Sequence, residues 1–509
     1  MKKLLILDLN KNYNIFRENT DVIFLSFGKI NLKKAKILKI NELKRNKQKN
    51  KLFKFLENYL RFLKKKQDIF DICELEITNL RNDKVLIFDQ LIDLLIIKNE
   101  LIKKYKTVEI IYDNQLLNNS YQSLSNKKIK LTNLNSKIKK KITFTKFAIS
   151  RISFFLRVFC QVILSKILCK LPEKLINSEV NLTIQPLLKN DNLYKNQNYN
   201  LNFVITDETH INNNLVNNFK LISSLSKQKD SIACEKIISI PDMFYNLFLS
   251  LKFKKIIQHY QKKNYYLGSI EVSYAINNLL VISILNRLKL NIYDNAIKEI
   301  FNKYKIKKFR YFMFEYNFGF YLKNQIQKNN SKVKYIGYQH GIFSKNLMWI
   351  DYLIHLNKVH KYIPDNIIST NIFSNKDYKK LLGKKFKISI DDRISKFQNM
   401  DLPKYDKKSK NVLVILGQHD FNYLINHFEK NKIYERYNII YKFHPRTNLK
   451  DYNKLNLKYI ETFKNQKFNK IFVSQTSTLI YYFKIKKLKY LTVEHIYKRN
   501  IMNTDLLNF

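Results

Sequence analysis

Apolar residues in this chain gather in short runs that stop at polar or charged positions, and the runs alternate with stretches of helical period. Leu4-Leu5-Ile6-Leu7-Asp8, Val85-Leu86-Ile87-Phe88-Asp89 and Val108-Glu109-Ile110-Ile111-Tyr112-Asp113 each read as a strand closed by an acidic residue. Between the last two, Gln90 to Lys104 has the spacing of an amphipathic helix. Strand, helix and strand in that rhythm predict an α/β unit on a parallel sheet. The rhythm resumes after residue 195. Tyr199 to Ile205 is a predicted strand ending near Asp207-Glu208, and helices fill roughly 215–305. Phe309 to Phe314 is a strand ending at Glu315, with a helix through Gln327. Val333 to Tyr338 is a strand that ends in Gln339-His340-Gly341. Residues 345–366 are less regular, Ile367–Phe373 return to a strand, and Asn411-Val412-Leu413-Val414-Ile415-Leu416-Gly417 opens the last α/β unit.

Polar stretches punctuate this pattern. Residues 114–142, rich in Asn, Ser and Lys, read as a linker, and 384–410, rich in Lys and Asp, as a hinge. The chain divides into an N-terminal α/β region (1–125), a linker with an amphipathic helix (126–195), an α/β half (196–383), the hinge, and a second α/β half (411–509). Two α/β halves joined by a hinge make a cleft, which is where ligands bind.

The helix expected over 146–171 has a character of its own. Ile152, Leu156, Phe159, Ile163 and Ile167 share one face with Phe155 and Val162 beside them, while Arg151, Arg157, Gln161 and Ser165 form a narrower polar stripe. Arg151, Arg157, Lys166 and Lys170 interrupt the apolar run, so it falls short of a spanning helix. Two environments suit it: the interface of a membrane, or burial between two domains.

Composition narrows the class. A hydrophobic content of 45% over 509 residues supports several folded domains. The net charge of +52 is mostly Lys. Abundant Lys, Asn and Ile, with only 7 Gly, 6 Pro and 1 Trp, match an AT-rich coding sequence, which accounts for much of that charge. The remainder suits anionic lipid or a polyanionic substrate. Cys73, Cys160, Cys169 and Cys234 lack metal-type or disulfide-type spacing, as expected of a reducing compartment. The apolar run at the N-terminus is too short for a signal peptide and reads as a first strand.

Two motifs near the C-terminus carry candidate chemistry. Tyr437-Asn438-Ile439-Ile440-Tyr441-Lys442-Phe443-His444-Pro445-Arg446 is a strand that stops at His-Pro. Lys470-Ile471-Phe472-Val473-Ser474-Gln475-Thr476-Ser477-Thr478 is a strand that ends in hydroxyls able to cap a following helix. Ligands of open α/β sheets bind beyond the carboxyl ends of the strands. Hydroxyls and backbone N–H groups there suit a phosphorylated ligand, and an imidazole can donate to it. Pro445 favours an extended residue before it and so fixes His444 at the strand end.

Gly337-Tyr338-Gln339-His340-Gly341, Lys442-Phe443-His444-Pro445 and Ser474 through Thr478 resemble bacterial surface-carbohydrate and capsule biosynthesis proteins. The wider relatives are polysialyltransferase-like and CDP-glycerol glycerophosphotransferase-like enzymes with the GT-B fold. The resemblance covers about 300–495. It implies two Rossmann-like halves, a nucleotide-activated donor, and donor phosphates held by His444, Ser477 and Thr478, with Ser474 and Thr476 beside them. Lys442, Pro445, Gln339, Gly341 and His419 complete the expected binding set. His444, His340 and Glu315 are the expected catalytic residues, Glu315 as the base for an acceptor hydroxyl. The acceptor is lipid-linked or a polysaccharide, which places the protein in the cytoplasm at the inner face of the cytoplasmic membrane. The acidic-acidic-Gly motif of polysialyltransferases is missing, Asp207-Glu208-Thr209 being the nearest approach.

No cofactor or metal is expected: the sequence has no D-x-D motif, no His/Cys cluster with ligand spacing, no Walker motif and no G-x-G-x-x-G. Two alternatives stand beside the transferase. One is a sugar-nucleotide epimerase of the same two-domain plan. The other is a non-catalytic basic protein that binds membrane or nucleic acid; the even spread of Lys counts against nucleic acid.

Overall fold

The computed structural model describes residues 3–9, 16–17, 19–25, 31–32, 35–40, 42–63, 83–134, 144–171, 179–185, 200–204, 215–228, 231–312, 323–324, 326–327, 332–339, 349–390, 401–417, 421–429, 434–444, 457–463, 466–474 and 477–492. The chain is mixed α/β, and its three main sheets are parallel throughout. The N-terminal sheet has five strands in the order Lys36–Ile37, Asp21–Phe24, Lys3–Asp8, Thr107–Tyr112, Ile129–Asn133. The middle sheet has seven, in the order Ser231–Ala233, Asn200–Val204, Glu179–Gln185, Lys305–Phe312, Lys334–Tyr338, Asn366–Ser369, Lys387–Ile390. In the C-terminal unit Asn411–Ile415 lies between Asn438–Lys442 and Lys470–Val473. Single bridges from Tyr441 to Tyr459 and from Phe472 to Leu491 extend this sheet on both sides.

All three sheets obey one rule. The first strand lies centrally, the second and third run outward on one side, and the fourth starts the other side. Such an order leaves a point where the chain switches direction across the sheet, between the first and fourth strands.

Alternation along the first strand ties the units together. Leu4 and Ile6 enter a core with Leu52, Phe53, Leu56, Phe88 and Leu91, which continues to Phe309 and Tyr335 of the middle sheet. Leu5 and Leu7 enter a different core with Val412, Val414, Leu424, Phe428 and Phe472 of the C-terminal unit. The N-terminal sheet is thus covered on both faces, as a parallel sheet must be.

Several sequence expectations hold. Strands occur at Lys3–Asp8, Thr107–Tyr112, Asn200–Val204, Lys305–Phe312, Lys334–Tyr338 and Asn411–Ile415. One is corrected: the run Val85–Asp89 is helical, within Asp83–Ile96, and the helical path continues through Ile97–Leu101 and Ile102–Lys104. Phe88, Leu91, Ile92 and Leu95 fall at helical spacing and are all buried, so one apolar face outweighs the β-branched content. Ile367–Phe373 splits into the strand Asn366–Ser369 and the start of the helix Ile372–Leu382. The stretch 114–142, read as linker, includes the edge strand Ile129–Asn133 with Leu117, Tyr121 and Leu124 buried beside it. Glu179–Gln185, within the expected linker 126–195, is the first strand of the middle sheet. Lys387–Ile390, at the start of the expected hinge, is that sheet's last strand.

Lys323 is packed under the middle sheet with its side chain 1% exposed. Its Nζ donates to the carbonyls of His360 (2.9 Å) and Ile363, lies 3.7 Å from Asp365 Oδ1 and sits 5.8 Å from the Tyr335 ring centre. Burial pulls the ammonium down from 10.5 to about 8, with Asp365 opposing. Between pH 8 and 10.5 the unfolded chain therefore binds more protons at this site than the native one, and stability rises with pH. Groups shifted upward oppose this trend, the buried thiols Cys169 and Cys234 from about pH 9 and the buried phenols Tyr335 and Tyr441 above pH 10. They do so equally with or without Lys323. Urea unfolding is expected to show a gain from pH 7 to 9.5 of about 2 kcal/mol from this lysine, absent in Lys323→Met. Equal slopes in the two proteins would refute it.

Candidate functional site

The C-terminal sheet brings the two motifs to one edge. Ile415 is in register with Lys442 on one side and Val473 on the other. Just beyond, Leu416 N donates to Lys442 O (3.0 Å) and Ser474 N donates to Ile415 O (2.9 Å). Phe443-His444 and Ser474 therefore emerge on opposite sides of Leu416 and the buried Gly417. Two strand spacings, on the order of 10 Å, separate them. Ser474 leaves the sheet at its switch point, where ligands of this topology bind.

His444 is half-buried. Its strand is fixed from behind, because Tyr441 OH donates to Glu429 Oε1 at 2.7 Å and the Phe443 ring packs edge-on against Tyr459 at 5.8 Å. On the other side a tight turn follows Ser474: Ser477 N donates to Ser474 O (3.0 Å), and Ile480 N to Ser477 O (3.2 Å). The helix Leu479–Ile485 starts there. Capping falls to Ser477, whose Oγ accepts from Leu479 N at 3.4 Å, while the exposed Thr478 makes no side-chain cap bond. Ser474 and Ser477 are both buried polar residues at this turn.

Lys442 turns elsewhere. Its Nζ donates to Glu461 O and sits 5.1 Å from the Phe463 ring centre, and burial lowers its pKa. Gln339, at the end of the Lys334–Tyr338 strand, is fully buried. Its Nε2 donates to Ser374 Oγ (3.0 Å) and its Oε1 accepts from Thr370 N (3.1 Å). Ser374 Oγ also accepts from Asn371 Nδ2 (3.1 Å) and donates to Tyr481 OH (3.1 Å). Tyr481 belongs to the helix that follows Ser477. The Gln339 element and the hydroxyl turn are thus joined through Ser374, which brings the carboxyl end of the middle sheet against the C-terminal unit.

His340, Gly341, Glu315, His419, Pro445 and Thr476 lie outside the described residues, as do Asp207, Glu208 and Asp420. Reading the sequence did not single out Asn371, Ser374 or Tyr481. A signal was present for the first two: Asn371 caps Ile372–Leu382 by accepting from Ser374 N at 2.8 Å, a spacing typical of helix starts. Other histidines serve packing, with His360 stacked on Phe386 at 5.1 Å and His427 against Phe428 at 5.0 Å. Among the described residues no group of three or more His, Cys, Asp or Glu is arranged around a metal position.

The equivalent crevice of the N-terminal sheet is filled by protein. Asp8 there accepts from Gln90 Nε2 (2.8 Å) and Tyr121 OH (2.6 Å), and Asn114 Nδ2 donates to Gln90 Oε1 (3.1 Å). The corresponding loops of the middle sheet, after Gln185 and Phe312, lie outside the described residues. Comparison with protein-family models, curated proteins and solved structures finds no match to this chain.

The Ser374 junction can be tested by stability alone. Gln339→Leu strands the Thr370 N–H and is expected to cost about 1–3 kcal/mol. Tyr481→Phe removes the acceptor of Ser374. Because the two residues act through one hydroxyl, a double-mutant cycle is expected to give a coupling above about 0.5 kcal/mol. Additive losses would refute the junction.

Proposed function

We propose that this protein is a GT-B-type glycosyltransferase or glycerophosphotransferase that uses a nucleotide-activated donor in surface-polysaccharide synthesis. The observation that carries this proposal is the pairing of His444 with Ser474 and Ser477 across the carboxyl edge of the C-terminal sheet, at its switch point. Support also comes from the neighbouring carboxyl end of the middle sheet, held close through Gln339, Ser374 and Tyr481. That arrangement suits a donor on one side and an acceptor on the other.

In this proposal the donor phosphates lie over Leu416-Gly417. Ser477 and the backbone of its turn bind them on one side, with Ser474, Thr476 and Thr478 nearby. His444 donates to the phosphate oxygens on the other side, where negative charge grows as the glycosyl or glycerophosphoryl bond breaks. A residue of the middle unit, Glu315 or His340, takes the proton from the acceptor hydroxyl. The acceptor is carried on lipid or polysaccharide at the inner face of the cytoplasmic membrane. No helix among the described residues is long and apolar enough to cross a membrane, and a peripheral position fits that.

Thermal scanning with CMP, CDP, UDP and GDP compounds tests the donor site. A ligand at 100 times its Kd stabilises the native state by about 2.7 kcal/mol. His444→Ala and Ser477→Ala are each expected to weaken nucleotide binding by roughly 10- to 150-fold, the equivalent of about 1.5–3 kcal/mol for a charged hydrogen bond. Ser477→Ala is expected to lower ligand-free stability as well, by about 0.5–2 kcal/mol, because the Ser477 hydroxyl caps the following helix. Unchanged affinity in both variants would overturn the donor site.

Transfer is expected to proceed without a divalent cation, because the sequence lacks a D-x-D motif. Product formation in EDTA should match that in Mg²⁺. Loss on chelation, with recovery on adding Mg²⁺ or Mn²⁺, would contradict it.

A further inference from the structure

The helix Phe144–Leu168 is oriented against its own polarity. Its polar stripe turns inward: Gln161 and Ser165 are fully buried, with no hydrogen-bond partner for Gln161 Nε2, Gln161 Oε1 or Ser165 Oγ among the described residues. Phe155, Val158 and Val162 share that inner side. The opposite, apolar face is left in water, with Ile152 50%, Leu156 55% and Ile167 73% exposed, and Phe159 and Ile163 half-buried between them. Burying an amide and a hydroxyl while exposing three large aliphatic residues is the reverse of what water alone selects.

Neighbouring helices extend the exposed face. On one flank Phe244 of the helix Ile240–Gln261 meets Phe155 at 5.1 Å and Phe159 at 6.2 Å, yet remains 53% exposed beside exposed Tyr245 and Phe248. On the other flank Leu164 and Leu168 pack with Leu221, Ile222 and Leu225 of the helix Leu215–Ser226, which leaves Val216 and Phe219 exposed. Exposed large apolar residues gathered on three packed helices mark an interaction site.

Charge identifies the occupant. The helices Phe144–Leu168 and Leu215–Ser226 contain no Asp or Glu, and Ile240–Gln261 contains Asp242 alone, which accepts from Asn295 Nδ2 at 2.8 Å. Exposed Lys166 lies beside the apolar face, its Nζ donating to Lys236 O at 3.3 Å; exposed Lys170 follows the helix end, and exposed Lys220 follows Phe219. A second copy would bring the same cations face to face and be repelled. An anionic bilayer offers an apolar layer for the Ile, Leu and Phe side chains and phosphates for the lysines, with Tyr245 at home in its headgroup region. We infer that the exposed faces of these three helices form an interfacial docking surface for an anionic lipid bilayer, entered by side chains and crossed by none of the helices.

Nothing in this inference draws on the donor site, so the two can fail separately. The test is co-sedimentation of the full chain with vesicles of phosphatidylcholine alone or mixed with phosphatidylglycerol, at low and high salt. Wild type is expected to bind the anionic vesicles, to bind neutral ones much more weakly, and to lose part of its binding at high salt. Leu156→Glu with Ile167→Glu is expected to weaken binding roughly tenfold or more. Melting temperature and nucleotide-induced stabilisation should stay as in wild type, because both side chains are exposed. The milder pair Leu156→Ser and Ile167→Ser covers the case in which the glutamates disturb folding. Ile354→Glu, at an exposed position on a different helix, should leave binding unchanged. Full binding by both folded double variants would mean that general Lys charge suffices, and would overturn the inference. So would a wild type that ignores anionic vesicles, or one that dimerises through this face without binding lipid.

Discussion

The constraint on which this structure depends is that a parallel sheet must be covered on both faces. The first strand satisfies it by sending Leu4 and Ile6 to one core and Leu5 and Leu7 to another. The first core runs into the middle unit and the second into residues 412–472, so the N-terminal sheet lies between parts of the chain far apart in sequence. Polar bonds follow the same plan: Lys49 pairs with Asp351, and Ser120 Oγ donates to Glu271 O at 2.6 Å.

Three sheets with one strand order offer three crevices, and side-chain chemistry separates them. At the N-terminal switch point Asp8 accepts from Gln90 and Tyr121, so this strand-end carboxylate is satisfied inside the fold. At the C-terminal switch point the residues are serines at a helix start, with a half-buried histidine across the neighbouring strand. Topology supplies the same switch point in both places, and the side chains set what chemistry each one carries.

The central strands were legible because runs such as Val412-Leu413-Val414-Ile415 are apolar throughout, as burial on both faces demands. Ile129–Asn133 and Lys387–Ile390 were not, since edge strands are short and carry polar residues in a Lys-rich background. Glu179–Gln185 alternates Val180, Leu182 and Ile184 with polar residues and carried a period-2 signal that its Asn-rich surroundings obscured. For Val85–Asp89 the residue types spoke for a strand while the spacing spoke for a helix, and spacing prevailed. In the candidate site, His444 and the serines were recognisable as strand-end groups. The burial of Gln339 was not, because its partners Thr370, Ser374 and Tyr481 come together only through tertiary packing.

The Ser374 junction ties the middle sheet to the C-terminal unit. The hydroxyl of Ser374 accepts from Gln339 and Asn371 and donates to Tyr481, so its bonding capacity is used in full. Phe373 reinforces it by packing into the C-terminal core under Lys484, whose Nζ lies 4.8 Å from the ring centre. Ser477 and Tyr481 are four residues apart on the same short turn and helix. The segment that carries Ser477 is therefore the one that joins the C-terminal unit to the middle sheet. Ser477 and the contact between the middle sheet and the C-terminal unit thus share one short segment, with Tyr481 bonded to Ser374 one helical turn beyond Ser477.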